Sequence, residues 1–246
     1  ANPELTPSEV LARLQNTASP APFSYLPDLG ILDAAHHQGA GLIRVDEAIT
    51  GTTLIQPGKI SAGEGEDGPH SEVLTISNLG EEEVTYSLSF EDAISTNPVY
   101  ENGAEATQNN PGFFLFSSQV SFSADTVTVP AGEQVEVTVT IAPDPEAMEG
   151  TQYSGYILLA DAEGATLSVP YAGMAGDYGA LPIFTDYGYG LPALGVLTDC
   201  EIVEDYQCVD EDAGFDYAKK NQVYHQGLDM PTLLVHMDNP ALSVTV

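Results

Sequence analysis

The spacing of apolar positions changes period near residue 52. Before that point, "LTPSEVLARLQNTA" (5–18) sets Val10, Leu11, Leu14 and Ala18 at helical intervals. Its start is written in the sequence. Thr6 stands before Pro7, and Glu9 completes a Thr-x-x-Glu capping box. This predicts an amphipathic helix. "SPAPFSYLPDLG" (19–30) is rich in proline and reads as an ordered loop. In "HHQGAGLIRVDEAI" (36–49), Gly39 and Gly41 permit a tight turn, while Leu42, Ile43, Val45 and Ala48 supply a packing face. The same stretch predicts one or two helical turns ending at Gly51.

After Thr52 the period falls to two. "EVLTISNLG" (72–80), "EEVTYSLSF" (82–90), "DTVTVPAGEQVEVTVTIAP" (125–143) and "QYSGYILLADAEGATLSVPYAG" (152–173) read as strands. Val135, Val137, Val139 and Ile141 alternate with Glu136, Thr138 and Thr140, so one face is buried and the other wet. Pro130–Glu133 is a tight connection, and "DAEG" (161–164) closes the last hairpin. About seven short strands over roughly 120 residues predict an antiparallel β-sandwich. "NPVYENGAEATQNNPGFFLF" (97–116) interrupts the spacing as a long loop or insertion. "GDYGALPIFTDYGYGLPALG" (176–195) has the composition of extended chain packed by aromatic contacts, and "CEIVEDYQCVDEDAGFDYAKK" (200–220) is an acidic excursion. "MPTLLVHMDNPALSVTV" (230–246) returns to strand texture and stops within it, as a cut chain would.

Charge narrows the partners. The 246 residues hold 37 Asp and Glu against 5 Lys and Arg, a formal net charge of −32. No basic footprint for phosphates exists, which excludes nucleic acid as a partner, and anionic membrane surfaces repel such a chain. High salt, acid surroundings or bound calcium would each offset the self-repulsion. No apolar run has the length of a membrane span. Without a basic n-region and apolar h-region, any signal peptide is expected to have been removed, or the chain to be an excised piece. Cys200 and Cys208 lie close in the acidic region, where a disulfide would stabilise by roughly 2.5 kcal/mol; the alternative is a pair of reduced thiols. Acidity and β-rich texture favour an oxidising, extracellular setting.

The candidate chemistry is sparse. No Gly-x-Ser-x-Gly elbow or Gly-Thr-Ser motif occurs, so no catalytic residue is assigned. His36 and His37 are adjacent, which makes chelation of one metal awkward, and a structural or solvent-facing pair is the better reading. His70, His225 and His236 stand alone in the sequence. Asp210, Asp212 and Asp216, with Gly214, could supply oxygens to calcium, the one cofactor candidate, but the EF-hand pattern is incomplete. A solvated acidic loop braced by Cys200 and Cys208 is preferred. No metal or cofactor ligand is assigned.

Two N-terminal stretches carry a family resemblance. "NPELTPSEVLARLQNTA" resembles the helix that follows the catalytic-serine helix in secreted subtilisin-like serine proteases (the S8 subtilases). "HQGAGLIRVDEAI" resembles the segment that ends their catalytic domain. The strands from Gly51 to Tyr178 are similar to the fibronectin-III-like domain of multidomain subtilases of the cell-envelope and C5a-peptidase-like groups. "DMPTLLVHMDNPALSVTV" is similar to the start of their next β-domain. The implied architecture is mainly β: a fibronectin-III-like antiparallel β-sandwich (52–178) preceded by a short helical remnant of an α/β catalytic domain (1–51). A Tyr/Gly/Pro-rich extended region with the acidic loop and the start of a further β-domain follows (179–246). The implied function is the non-catalytic C-terminal portion of a secreted serine endopeptidase. It completes and stabilises the catalytic domain and extends substrate binding. Its partners are the N-terminal catalytic fragment and polypeptide substrate. A stand-alone extracellular adhesion or ligand-binding module is the alternative, though such a module has no use for residues 1–51. That segment is too short to bury its apolar side chains alone and is expected to need the missing catalytic core.

Overall fold

Thr6 opens the first helix, α1 (Pro7–Asn16), through the capping box. Its hydroxyl accepts from the Glu9 backbone N–H at 3.4 Å, and the Glu9 carboxylate accepts from the Thr6 N–H at 2.7 Å. The computed structural model describes residues 5–97, 111–181, 183–184, 190–198, 202–203, 207–208, 214–221, 223–225, 231–235 and 237. The contacts divide the chain into two units, Ala1–Gly179 and Ala180–Val246.

In the first unit the chain continues from α1 through a loop into two short helices, α2 (Ala35–Gln38) and α3 (Val45–Thr50). Gly39 and Gly41 join them with φ of 65° and 104°. A Cβ at Gly41 would lie 2.3 Å from the Ser19 carbonyl oxygen, so both its conformation and its surroundings demand glycine.

Eleven strands follow among the described residues: β1 (Thr53–Gln56), β2 (Ile60–Glu64), β3 (His70–Asn78), β4 (Val84–Asp92), β5 (Ser95–Asn97), β6 (Gly112–Phe114), β7 (Gln119–Phe122), β8 (Thr126–Val129), β9 (Gln134–Ala142), β10 (Gln152–Ala160) and β11 (Thr166–Met174). One sheet has the order β1-β3-β9-β7. The other has β2-β11-β10-β4-β8, extended by β5 and β6. All pairs are antiparallel except β2 with β11. The protein is mainly β, with the two sheets forming a sandwich.

The alternation of β9 does what the sequence predicts. Val137, Val139 and Ile141 are fully buried, and they join Leu74 and Ile76 of β3 and Ile157, Leu159, Val169 and Tyr171 of the other sheet in one core. Each such side chain contributes roughly 1.5–3 kcal/mol relative to exposure. The "DAEG" hairpin forms as expected. Asp161 Oδ1 accepts from the backbones of Glu163 and Ala165, and the turn joins β10 to β11. Pro130–Glu133 acts differently. It links β8 to β9, which lie in different sheets, so this tight connection crosses the sandwich instead of closing a hairpin. In the expected insertion, β5 and β6 pair with each other, and 98–110 lie outside the described residues.

In the second unit, β12 (Ala193–Thr198) pairs with β15 (Gly214–Tyr217) and β16 (Thr232–Leu234). The short strands β13 (Ile202–Val203) and β14 (Gln207–Cys208) pair with each other.

Candidate functional site

The helical segment of the first unit is fastened to the sandwich by polar groups. Asn16, fully buried, accepts the Ile55 backbone N–H at 2.9 Å and donates to the Ser168 carbonyl at 3.4 Å. It thus bridges β1 of one sheet and β11 of the other. Arg13 donates through Nη2 to the Gly51 carbonyl. Gly58 fits beneath α1 because a Cβ there would fall 2.9 Å from the Ala12 Cα and closer still to the Gln15 carboxamide. On the loop that follows, Ala35 N–H donates to Ser154 Oγ at 2.9 Å, and Tyr156 Oη donates to the Gly39 carbonyl at 2.9 Å. Phe23, Ala34 and Ile94 form a small apolar cluster that ties this loop to the chain after β4.

The buried positions of α1 are Ala12, Arg13 and Asn16; Asn16 meets the sandwich, while Arg13 lies beside α3. The predicted apolar face is split: Val10 is 44% exposed and Leu11 57%, while Leu14 is half-buried and Ala18 buried. The expected packing face of 42–48 is likewise outward. Leu42, Ile43 and Val45 are all exposed, and only Ala48 is buried. Val10, Leu14, Val45 and Ile49 line a groove of about 240 Å³ between α1 and α3.

The histidine pair belongs to the joint. His36 Nε2 lies 3.0 Å from Thr96 Oγ1, while its buried Nδ1 has no partner. Burial, and then the neighbouring His37, pull its pKa down to about 4, against a weaker opposing pull from Asp33. His37 contacts Asp33 at 3.3 Å. No group of three His, Cys, Asp or Glu able to hold a metal occurs among the described residues.

The other sequence candidates scatter. His70 lies at the start of β3, 3.5 Å from Glu72. His225 is exposed in the second unit, and His236 lies outside the described residues. Asp216 is on β15, whereas Asp210 and Asp212 lie outside the described residues. The expected Cys200–Cys208 disulfide also falls outside them: Cys208 has its backbone in β14, but Cys200 is not described.

Carboxylates gather elsewhere on the first unit. Glu64 accepts the Tyr178 N–H and Glu149 the Asp177 N–H, at 2.8 and 2.7 Å. Beside them the Glu66 carboxyl is pushed above its usual range, first by the charge of Asp177. Asp92 accepts from Tyr171 Oη, Ser117 Oγ and the Ser118 N–H, so its oxygens are used within the fold.

Arg13 and Asn16 are the positions that sequence patterning overlooks. Their signal is present but faint. They stand three apart on one helix, and Arg13 is one of only five cationic residues in the chain.

Comparison with known proteins matches this architecture. Residues 64–172 fit a family model described as an Fn3-like domain. A PII-type proteinase of Lacticaseibacillus paracasei is 26% identical over 79% of this chain, and a PII-type proteinase of Lactococcus lactis subsp. cremoris is 25% identical over the same share. A PIII-type proteinase of Lactococcus lactis subsp. cremoris (strain SK11) is 27% identical over 60% of it. The chain spans 12% of the length of the first two and 8% of the third. The similarity to proteinases extends well beyond the Fn3-like region and corresponds to a small portion of each relative.

Proposed function

We propose that this chain is the non-catalytic C-terminal portion of an extracellular subtilisin-like serine endopeptidase, with the catalytic residues in another part of the parent. In this reading residues 1–51 complete the catalytic domain. The Fn3-like region braces that domain and extends its hold on polypeptide substrate. One observation carries the proposal: a helical segment is fixed to the sandwich by the buried bonds of Asn16 while it presents Val10, Leu11, Val45 and Ile49 to solvent. Such a segment is built to be covered by a further domain. Similarity to proteinases over most of the chain supports reading that domain as the catalytic one.

The test is deletion of the Fn3-like region from the parent. Casein cleavage should be abolished by a serine-directed inhibitor in both forms, and the deleted form should inactivate at least tenfold faster on heating. An unchanged lifetime would count against the bracing role. Cleavage blocked by a chelator and indifferent to the serine reagent would count against the enzyme class.

A further inference from the structure

Arg13 is 7% exposed, lines the groove between α1 and α3, and has a buried Nε with no hydrogen-bond partner among the described residues. The sole hydrogen bond of its guanidinium among the described residues runs from Nη2 to the neutral Gly51 carbonyl. No carboxylate among the described residues pairs with it. This is a costly arrangement, because a desolvated guanidinium needs a compensating anion or a full set of acceptors. Desolvation accordingly draws the Arg13 pKa down. Carboxylates are not scarce, since the chain holds 37 Asp and Glu against 5 Lys and Arg. The only other arginine, Arg44, contacts Glu47 at 2.6 Å. Among the described residues the buried arginine thus lacks an acid where the exposed one has its own.

The rest of the groove is apolar, with Val10, Leu14, Val45 and Ile49 around the arginine. A ligand that complements it must bring apolar side chains and one negative charge. A second copy of this chain is a poor occupant, because two bodies at −32 repel each other. We infer that the groove between α1 and α3 receives a carboxylate-bearing apolar segment of the catalytic part of the parent, whose Asp or Glu pairs with Arg13. The inference rests on the functional reading above and adds the chemistry of the contact. The arriving carboxylate satisfies the donor that the described residues leave open, so the joint forms fully only when both parts are present. A bidentate Arg–carboxylate pair in a water-excluded groove also fixes register, which an apolar contact alone does not.

The experiment uses the parent proteinase, assayed for casein cleavage and for its half-life on heating. Ile49 is 60% exposed, so the fold of this chain tolerates its replacement. Ile49→Glu should shorten the half-life at least fivefold by repelling the incoming carboxylate, whereas Ile49→Lys should change it less than twofold. Arg13→Gln should act in the same direction as Ile49→Glu, and Arg13→Lys should restore part of the loss. Circular-dichroism melting of the 246-residue chain carrying each substitution separates a folding defect from a docking defect. A parent without peptidase activity defeats the functional reading and this inference with it. An active parent in which Ile49→Glu and Ile49→Lys lose equally defeats the inference alone, because the contact is then apolar without a carboxylate. Indifference to all four substitutions defeats it too.

Discussion

The sandwich and the helical segment of the same unit use opposite materials at their buried surfaces. In the sandwich, Ile55, Leu74, Ile76, Val139 and Ile157 are fully buried. In the segment, the buried positions of α1 are Ala12, Arg13 and Asn16, while Val10 and Leu11 face solvent. The sandwich closes on itself because each sheet offers an apolar face to the other. The segment cannot: hydrogen bonds of Asn16, Ala35 and Tyr156, with a small apolar cluster around Phe23 and Ala34, hold it and leave Val10, Leu11, Leu42, Ile43 and Val45 exposed. Apolar periodicity announces that a face will be buried, but it does not say by which part of a protein.

The contrast breaks first at the core. Ile76→Ala should destabilise the first unit by about 4 kcal/mol through lost burial and a cavity, measured by urea unfolding. A cost below about 1 kcal/mol would mean that the sandwich is loosely packed and the contrast false.

The joint should respond to acid. His36 has a folded pKa of about 4 against an unfolded value of 6.5. Because the folded state keeps this imidazole neutral, its contribution is fully present above pH 6.5 and is lost as pH falls from 6.5 towards 4. The loss is on the order of 3 kcal/mol. Carboxylates titrate near the lower end of that window, so the quantity to measure is the difference between the wild type and His36→Gln. Parallel pH profiles would show that His36 is not held neutral.

Asn16→Ala should cost about 2 kcal/mol, since it leaves the buried Ile55 N–H without its acceptor. Hydrogen exchange at the Ile55 amide should quicken along with the drop in melting temperature. Unchanged protection there would show that the helix is not held by this bond. The smallest effect belongs to the open face. Leu11→Ala should change stability by less than about 0.5 kcal/mol in this chain, because Leu11 is already hydrated. A loss comparable to that of Ile76→Ala would erase the distinction between the two regions.

Much of the architecture is readable from local rules. The Thr6–Glu9 box starts α1, the alternation from Val135 to Ile141 assigns β9 its wet and dry faces, and Asp161–Gly164 sets a hairpin. Each of these depends on residues a few positions apart. The candidate site is less legible. The histidine pair draws attention in the sequence, yet His36 is one member of a joint completed by Thr96, 60 residues away. Asn16 looks like an ordinary helix residue until Ile55 and Ser168, 39 and 152 residues distant, become its partners.

By itself, then, the sequence determined the main elements, the period change at residue 52 and the strongly acidic balance, since each follows from local spacing or from summed charge. Only the tertiary structure decided that Pro130–Glu133 crosses between sheets, that α1 buries Arg13 and Asn16, and that Arg13 has no acid beside it among the described residues. Those outcomes depend on which distant backbone groups arrive beside a side chain, and a buried donor is satisfied or left open only by what the whole fold brings to it.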